Sequence, residues 1–274
     1  MSQMELMTIR EQQLVELEIM KEIHRVCEEN SIKYWLMYGS LIGAVRHGGF
    51  IPWDDDIDVA MMRDEYNRFI EVCANGALSK HFIIQNYHTD SDFEFIISRI
   101  GMEGTYSDTA SRRKMNSMSY CYVDVFPFDI VPDDESKRNK HIQRISKLKK
   151  DIRHRRNYSY DCNSLVKKFC KRIVEKIYSI HSIAWYARRL EKTATQYSES
   201  KSSLCAGLGG GYKYQKEIQF LEDFKQLELR PFEDTQFYIP HNYDRILKNL
   251  YGDYMTLPPE SQRVSKHKAY RIIE

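Results

Sequence analysis

Long uncharged apolar runs are absent from this 274-residue chain, and its amino terminus holds no apolar segment. No stretch of roughly 18 apolar residues occurs, so the sequence predicts no transmembrane helix. The first residues, MSQMELMTIREQQ, are polar and mixed in charge and do not resemble a secretory signal. The six cysteines form no Cys-x-x-Cys pair, and the spacing of a structural zinc site is missing. We therefore expect reduced thiols and a cytoplasmic protein.

The proportion of apolar residues is high enough for a packed core. Hydrophobic residues make up 42% of the chain, which excludes wholesale disorder. The length suits one large domain or two small ones. We predict a single catalytic domain over 1–274, made of a core at 1–135, a basic helical insertion at 136–205 and a C-terminal part at 206–274 that completes the site.

The net charge of +2 hides an uneven distribution along the chain. Residues 137–191 contain 17 Lys or Arg and 4 Asp or Glu, whereas the other 219 residues contain 24 and 35. A basic segment inside an acidic chain suggests either nucleic-acid binding or contact with anionic lipid. A helix whose charges simply face water is as good an interpretation.

Hydrophobic periodicity predicts a mixture of helices and strands. Helices are expected near 9–29, 63–73, 136–153, 164–190 and 243–250, with a short helical turn at 41–46. Aromatic and β-branched runs predict strands at 33–38, 57–61, 82–87, 93–100 and 120–128, and a hairpin near 224–238. The fold class is therefore α/β (α+β), a mixed β-sheet flanked by helices.

An acidic cluster is the most informative feature. Asp54, Asp55, Asp56 and Asp58 place four carboxylates within five positions. If Asp56-Ile57-Asp58 is extended, the side chains of Asp56 and Asp58 point to the same face. Like charges at that distance repel unless a cation lies between them, and Mg²⁺ or Mn²⁺ prefers carboxylate oxygens. The alternative is an acidic turn in water, but the apolar residues on both sides of the cluster make that less favourable.

Two further features accompany the acids. Gly39-Ser40 follows a predicted strand and precedes a helical turn, an arrangement that offers backbone N–H groups to an anion, or that is an ordinary strand end. Asp124 lies among apolar residues on a predicted strand, where a carboxylate requires a metal or an arginine partner. Asp129 is predicted to be less embedded.

The order Gly39-Ser40, Asp56-x-Asp58 and Asp124 resembles that of the nucleotidyltransferase superfamily. Three longer blocks resemble the LicD family of lipopolysaccharide or teichoic-acid cholinephosphotransferases, which is related to the fukutin group. They are YGSLIGAVRHGGFIPWDDDIDVAMMRDEYNRF at 38–69, YVDVFPFDIVPDD at 122–134 and IPHNYDRILKNLYGDYMTLPPESQRVSKH at 239–267. The cysteine-rich zinc insertion of fukutin-related protein has no counterpart, which favours the bacterial branch.

The resemblance implies a nucleotidyltransferase-like fold and a Mg²⁺- or Mn²⁺-dependent transfer of phosphocholine from CDP-choline. The acceptor would be a hydroxyl of a lipid-linked glycan precursor of teichoic acid, lipopolysaccharide or capsule, and CMP would be released. Asp56, Asp58 and Asp124 are the implied catalytic and metal-binding residues, with Asp124 either a metal ligand or a base. Asp54 and Asp55 would orient them. The implied substrate-binding residues are Gly39, Ser40, Arg46, His47, Arg99, Tyr251, Tyr254, Arg263 and His267.

Other interpretations remain open at this stage. Arg46 can equally form a surface ion pair, and His47 can act as a cap. Tyr251 and Tyr254 can simply pack the C-terminal part, the tail, onto the core. The donor can carry ribitol or glycerol phosphate in place of phosphocholine, or the enzyme can transfer a nucleotide to RNA or a small molecule. A non-enzymatic nucleic-acid binder would leave the acids without a role, so no nucleic acid is expected. The basic helix at 164–190 suggests peripheral contact with the inner face of the membrane.

Overall fold

The computed structural model describes residues 3–108, 120–156, 176–265 and 267–273. In chain order the strands are β1 (Gln3–Leu6), β2 (Trp35–Leu36), β3 (Asp58–Met62), β4 (Phe82–Gln85), β5 (Ser98–Met102), β6 (Thr105–Asp108), β7 (Cys121–Val131), β8 (Leu204–Ala206), β9 (Ile218–Phe220), β10 (Leu227–Phe232), β11 (Thr235–Pro240) and β12 (Lys268–Ile273). The helices are α1 (Ile9–Glu29), α2 (Tyr38–Ile42), α3 (Arg63–Val72), α4 (Glu135–Arg155), α5 (Ile183–Ala194), α6 (Tyr214–Glu217) and α7 (Tyr243–Tyr251).

A mixed sheet in the order β2-β3-β7-β5-β4 organises the fold, and β8 and β9 extend it from β7. β3 and β7 run parallel, whereas the other pairs of this sheet are antiparallel. The strand β12 lies between β1 and β6 in a second sheet, and β10 and β11 form a hairpin. The predicted mixed α/β class and the C-terminal hairpin are confirmed.

Helix α1 covers the sheet and carries polar groups towards the acidic cluster. It begins with a capping box, in which Thr8 and Glu11 satisfy each other's backbone N–H groups. Its apolar face packs on β7 and β5. The same buried face includes Gln12, Gln13 and Glu16. A helix face that buries an acid next to apolar residues requires partners for that acid, and these come from the site described below.

The predicted element boundaries differ from the structure in three places. The strand expected at 33–38 is only β2, because Tyr38 already begins α2. The run at 93–100 becomes strand only from Ser98. The helix expected at 164–190 is wrong as a continuous element, since a turn at 179–182 ends in Ser182, whose hydroxyl caps α5. Residues 157–175, which include the first 12 of the 27 residues of the predicted basic helix, lie outside the described part.

The insertion is attached to the core through buried polar bonds as well as apolar packing. His141 of α4 is fully buried, and its ring nitrogens bond to the Tyr214 hydroxyl and the Thr193 carbonyl, each at 2.7 Å. The hydrophobic cluster includes Ile145 of α4 and Leu190 of α5. No helix in the described ranges is long and apolar enough to cross a membrane.

A buried ion-pair network joins α3, β7 and α5. Arg63 binds both carboxylate oxygens of Asp129, at 2.7 and 2.8 Å, and donates to Glu191 at 2.9 Å. Asp129 is fully buried, so the expectation that it is less embedded is wrong. The side chain turns into the layer between the sheet and α5, where only a paired carboxylate is tolerated.

Replacing Arg63 with Met tests this network. The change leaves the carboxylate of Asp129 buried without its cation, and we expect the free energy of unfolding to fall by about 3–5 kcal/mol. Arg68→Met on the same helix is the matched control, because its partly exposed pair with Glu65 contributes about 1 kcal/mol or less. Urea denaturation measures both. Equal losses for the two variants would show that Asp129 does not depend on Arg63.

Candidate active site

The acids meet at the start of the parallel pair β3–β7. The register places Asp58 directly opposite Asp124, and the N–H of Asp124 donates to the Ile57 carbonyl at 3.1 Å. Asp56 lies just before β3 and is close enough to Asp58 and Asp124 for the three charges to repel. The structure therefore brings together the three predicted carboxylates, although β3 itself begins only at Asp58.

The Gly39-Ser40 turn is fixed against these acids. Tyr38 has a left-handed backbone (φ 52°), a conformation that costs free energy in a residue with a side chain. The Ser40 hydroxyl accepts a hydrogen bond from the N–H of Asp58 at 2.8 Å. A Cβ on Gly39 would lie 2.5 Å from a carboxylate oxygen of Asp54, so a larger residue there would displace the Asp54 side chain. The turn and the acidic cluster thus form one unit.

Repulsion and burial make the cluster a good match for a hard cation. Burial, followed by repulsion from Asp54 and Asp55, raises the pKa of Asp56 to about 7. Burial, followed by repulsion from Asp56 and Asp124, raises the pKa of Asp58 well above its usual range. The ligand atoms of Asp54, Asp55 and Asp56 lie within 4.8 Å of one another. An oxygen-only donor set with excess negative charge fits Mg²⁺ or Mn²⁺.

Asp55 is held by the C-terminal segment. The Ser265 hydroxyl and the backbone N–H of His267 donate to one oxygen of Asp55, at 2.7 and 2.6 Å. Burial alone would raise the pKa of Asp55, but the bonds from His267 and Ser265 outweigh it and lower the pKa to about 2. His267, predicted to bind substrate, therefore lies against Asp55, where it orients the acidic loop.

Arg99 and Asp124 form an ion pair across β5 and β7. The Arg99 Nε lies 2.6 Å from an oxygen of Asp124, and its guanidinium carbon lies 4.0 Å from the centre of the Tyr122 ring. Asp124 thus has the arginine partner that one interpretation requires. It also lies beside the other acids, as metal binding requires. The Nη1 of Arg99 is buried and has no hydrogen-bond partner, so it retains a donor for an anion.

A second pair of cations lies on another side of the acids. Arg46 and Arg263 are near enough for each to affect the other, and burial followed by that repulsion lowers the pKa of Arg46. The guanidinium of Arg263 lies 5.3 Å from the centre of the Trp53 ring. Arg46 donates to the carbonyl of Tyr254 and to His47, which is exposed beside Trp53. Two cations held close together favour a ligand with adjacent negative charges.

Three tyrosines form a wall beside Asp58. The rings of Tyr38 and Tyr212 stack with centres 5.4 Å apart, and the Tyr212 hydroxyl bonds to that of Tyr251 at 2.8 Å. Tyr38 donates to the buried Glu217 at 2.7 Å. Tyr251 is therefore at the site, whereas Tyr254 is buried and donates its hydroxyl to Asp244 at 3.0 Å. The packing interpretation holds for Tyr254, and Tyr251 also packs partly buried against the core while its hydroxyl bonds to Tyr212.

Comparison with known proteins identifies the family. Residues 31–172 match the family model described as LicD/FKTN/FKRP, nucleotidyltransferase domain. The lipopolysaccharide cholinephosphotransferase LicD of Haemophilus influenzae is 31% identical over 280 residues, which covers 96% of this chain and 97% of the relative.

The chain belongs to the LicD family. The human ribitol 5-phosphate transferase FKRP is 48% identical over 40 residues, which is 15% of this chain and 8% of that protein. An uncharacterized protein of Rickettsia typhi is 44% identical over 55 residues, 20% of this chain and 18% of the relative. The two relatives with named activities are phosphotransferases, and membership of this LicD family makes the chain an enzyme of that class.

Residues that the sequence did not single out also belong to this LicD-family site. Glu16 is 2% exposed, accepts from Gln12 at 2.9 Å, and has a second oxygen without a hydrogen-bond partner. Burial and repulsion from Asp56 contribute to a pKa of Glu16 well above the usual range. Tyr212 and Glu217 come from the segment that follows the three glycines at 209–211. Glu16 lies on the buried face of α1. Its place on that face is the only sequence signal that could have identified it as a site residue.

The acidic cluster predicts a characteristic dependence of stability on pH. Because the folded protein raises the pKa of Asp56 from 3.8 to about 7, it binds more protons than the unfolded chain between these values. Its free energy of unfolding without metal should therefore fall, by about 4 kcal/mol, as the pH rises through this window.

Mg²⁺ should restore the lost stability at pH 8, because it binds the ionised carboxylates of the folded state. Thermal unfolding in EDTA and in Mg²⁺ at several pH values measures both effects. Asp56→Asn should flatten the EDTA profile. A melting temperature at pH 8 that does not respond to Mg²⁺ would contradict a cation site here.

Glu16→Gln separates the charge of Glu16 from its shape. The variant keeps a polar group next to Gln12 and removes the acid that a bound cation would ionise, so divalent-cation binding should weaken by about tenfold. Glu18→Gln, on the exposed side of α1, should bind the cation normally. Calorimetric titration with Mn²⁺ gives both affinities. Normal binding by Glu16→Gln would assign Glu16 a packing role only.

Proposed function

We propose that this chain transfers phosphocholine from CDP-choline to a hydroxyl group of a cell-surface glycan precursor and releases CMP in a Mg²⁺-dependent reaction. The observation that carries the proposal is the convergence of Asp56, Asp58 and Asp124 beside two sets of cations. The similarity to the Haemophilus influenzae cholinephosphotransferase over nearly the whole of both chains supports the choice of donor.

The donor diphosphate would bind between the Gly39-Ser40 turn and the cations of Arg46 and Arg263. Gly39 lies against the carboxylate of Asp54, so a phosphate bound at this turn would also be close to the metal held by the acidic loop. Arg46 and Arg263 are held by carbonyl groups of Tyr254 and Pro258, so their positions are set before the donor arrives.

Asp56 and Asp58 would hold the metal, with Asp54 and Asp55 close by. When bound, Mg²⁺ neutralises negative charge on the phosphate oxygens in the transition state. In the transfer, the acceptor oxygen forms a bond to the distal phosphorus, and the bond from that phosphorus to the oxygen of CMP breaks. Asp124 stands beside Arg99 and would accept the proton of the acceptor hydroxyl or share in metal binding.

The tyrosine wall provides a place for the quaternary ammonium of choline. Tyr212 and Tyr251 lie next to the negative charge of Asp58, so aromatic faces and carboxylates would both stabilise the cation. Ribitol phosphate is the second candidate, since one block of the chain is 48% identical to human FKRP. A neutral polyol gains hydrogen bonds from such a wall and no cation–π attraction. Peripheral membrane contact stays a prediction, because the described residues do not include 157–175 of the basic segment that suggested it.

A panel of CDP-linked donors tests this proposal. With Mg²⁺ and a glycan acceptor, we expect CMP release from CDP-choline, and a loss of at least about 100-fold in Asp56→Ala and Asp58→Ala. Asp64→Ala, an exposed acid at the start of α3, should keep normal activity. Consumption of CDP-ribitol alone would replace the donor and leave the chemistry intact. Full activity in Asp56→Ala would overturn the proposed metal site.

A further inference from the structure

A cavity of about 340 Å³ lies between the basic insertion and the core. Its walls come from α4, from Leu190 of α5, from the segment 94–96 before β5 and from the glycine turn with the residues that follow it, 209–214. The volume is within the usual range for a small-molecule pocket. The cavity does not include the acidic cluster, and it shares only Tyr212 with the tyrosine wall assigned to the choline of the donor.

The lining combines aromatic rings with positive charge. Phe95, Tyr212 and Tyr214 contribute rings, and Lys149, Arg153 and Lys213 contribute cations. The one acid of the lining, Glu94, forms an ion pair with Arg156 at 2.9 Å. Aromatic faces suit the C–H faces of a sugar ring, and the surplus of cations favours an anionic group on the same ligand.

Among the cations of the lining, Lys149 has the ammonium group most in need of an acceptor in the cavity. Its ammonium donates to the Gly210 carbonyl at 2.6 Å, which is its one hydrogen bond among the residues described. An ammonium group has three donors, so two remain. Burial lowers the pKa of Lys149, which shows that its charge is poorly solvated. An anion in the cavity would supply the missing acceptors and restore the charge balance.

The cavity shares two walls with the catalytic centre. Tyr212 stacks on Tyr38, the residue before the Gly39-Ser40 turn. The ring of Phe95 lies 5.3 Å from the guanidinium carbon of Arg99, which pairs with Asp124. The cavity is therefore connected through Phe95 and Arg99 to Asp124, the acid proposed to receive the proton of the acceptor. The cations assigned to the donor, Arg46 and Arg263, do not line it.

The glycine turn is shaped to keep this space open. A Cβ on Gly209 would lie 2.4 Å from the side chain of Ile97, so the turn packs directly on the core there. A Cβ on Gly211 would meet nothing within 4 Å, although Gly211 lines the cavity. Gly211 is exposed, so a larger side chain at position 211 has room to extend beside the cavity and narrow it without displacing a neighbouring atom.

We propose that this cavity is the acceptor subsite and that it binds a carbohydrate bearing a phosphate group, with Lys149 on the phosphate and Phe95 on the sugar ring. The subsite rests on the proposed function, because it assumes that a glycan hydroxyl attacks beside Asp124. The phosphate can belong to a free sugar phosphate, or to the diphosphate that joins a sugar to a lipid, and both present the same chemistry to the cavity.

Equilibrium binding tests the subsite without requiring turnover. We would titrate the protein with glucose 6-phosphate, with glucose and with a short prenyl diphosphate-linked glucose. Lys149→Met should weaken binding of both phosphorylated sugars by about tenfold or more, the loss expected for one charge-assisted hydrogen bond. Lys150→Met, on the exposed side of α4, is the matched control and should bind normally. Tighter binding of the prenyl compound would identify the lipid-linked source.

Gly211→Phe provides a second test that does not depend on charge. It should narrow the cavity and weaken binding of either phosphorylated sugar, while the metal-dependent hydrolysis of the donor by water and the melting temperature stay as in the wild type. Loss of sugar-phosphate binding in both variants supports the subsite even if CDP-choline is not the donor.

Three results would overturn the subsite. The first is equal binding of phosphorylated sugars by wild type, Lys149→Met and Gly211→Phe. The second is weaker binding of CDP in these variants with unchanged sugar-phosphate binding, since that would place the donor in the cavity. The third is absence of sugar-phosphate binding by the wild type in a preparation that transfers phosphocholine to a glycan lacking phosphate.

Discussion

The parallel pairing of β3 with β7 is the constraint on which the site depends. Its register sets Asp58 against Asp124, and the extended segment before β3 adds Asp56 to the same small volume. Carboxylates in a poorly hydrated place repel one another, and burial makes each charge more costly. Groups around the acids therefore neutralise or position them. The negative charge that these groups do not neutralise is available to bind a cation.

The groups that position the acids come from distant parts of the chain. Arg99 pairs with Asp124 from β5, and the hydroxyl of Ser40 binds the backbone of Asp58 from α2. Ser265 and His267 hold Asp55 from near the C-terminus. The site is thus assembled only when α2, the sheet and the tail are all in place. This arrangement explains why the three family blocks, far apart in sequence, form one functional unit.

Much of the site could be predicted from the sequence, because it depends on short local patterns. These patterns are the Asp-x-Asp spacing, the Gly39-Ser40 turn and the isolated Asp124. Each indicates cation or anion binding without any knowledge of the fold. Glu16 could not be found in this way, since an acid within a helical pattern usually faces water and only the packing of α1 buries it. The contact of His267 with Asp55 also required tertiary structure. The break before α5 was missed because the apolar pattern continues on both sides of Ser182, although Ser182 caps the start of a new helix.

The charge balance at the site bears on which alcohol the enzyme prefers. Asp54, Asp55, Asp56, Asp58 and Asp124 supply five carboxylates, against which Arg99 and one divalent cation leave a negative excess. Arg46 and Arg263 lie on the side proposed for the diphosphate and compensate its charge. The alcohol would then lie near unbalanced carboxylates and the rings of Tyr212 and Tyr251. A quaternary ammonium is stabilised by both features, whereas ribitol is neutral and gains from neither in the same way. Under the proposed function, these electrostatics would favour a quaternary ammonium over a neutral polyol, on physical grounds that are independent of sequence similarity.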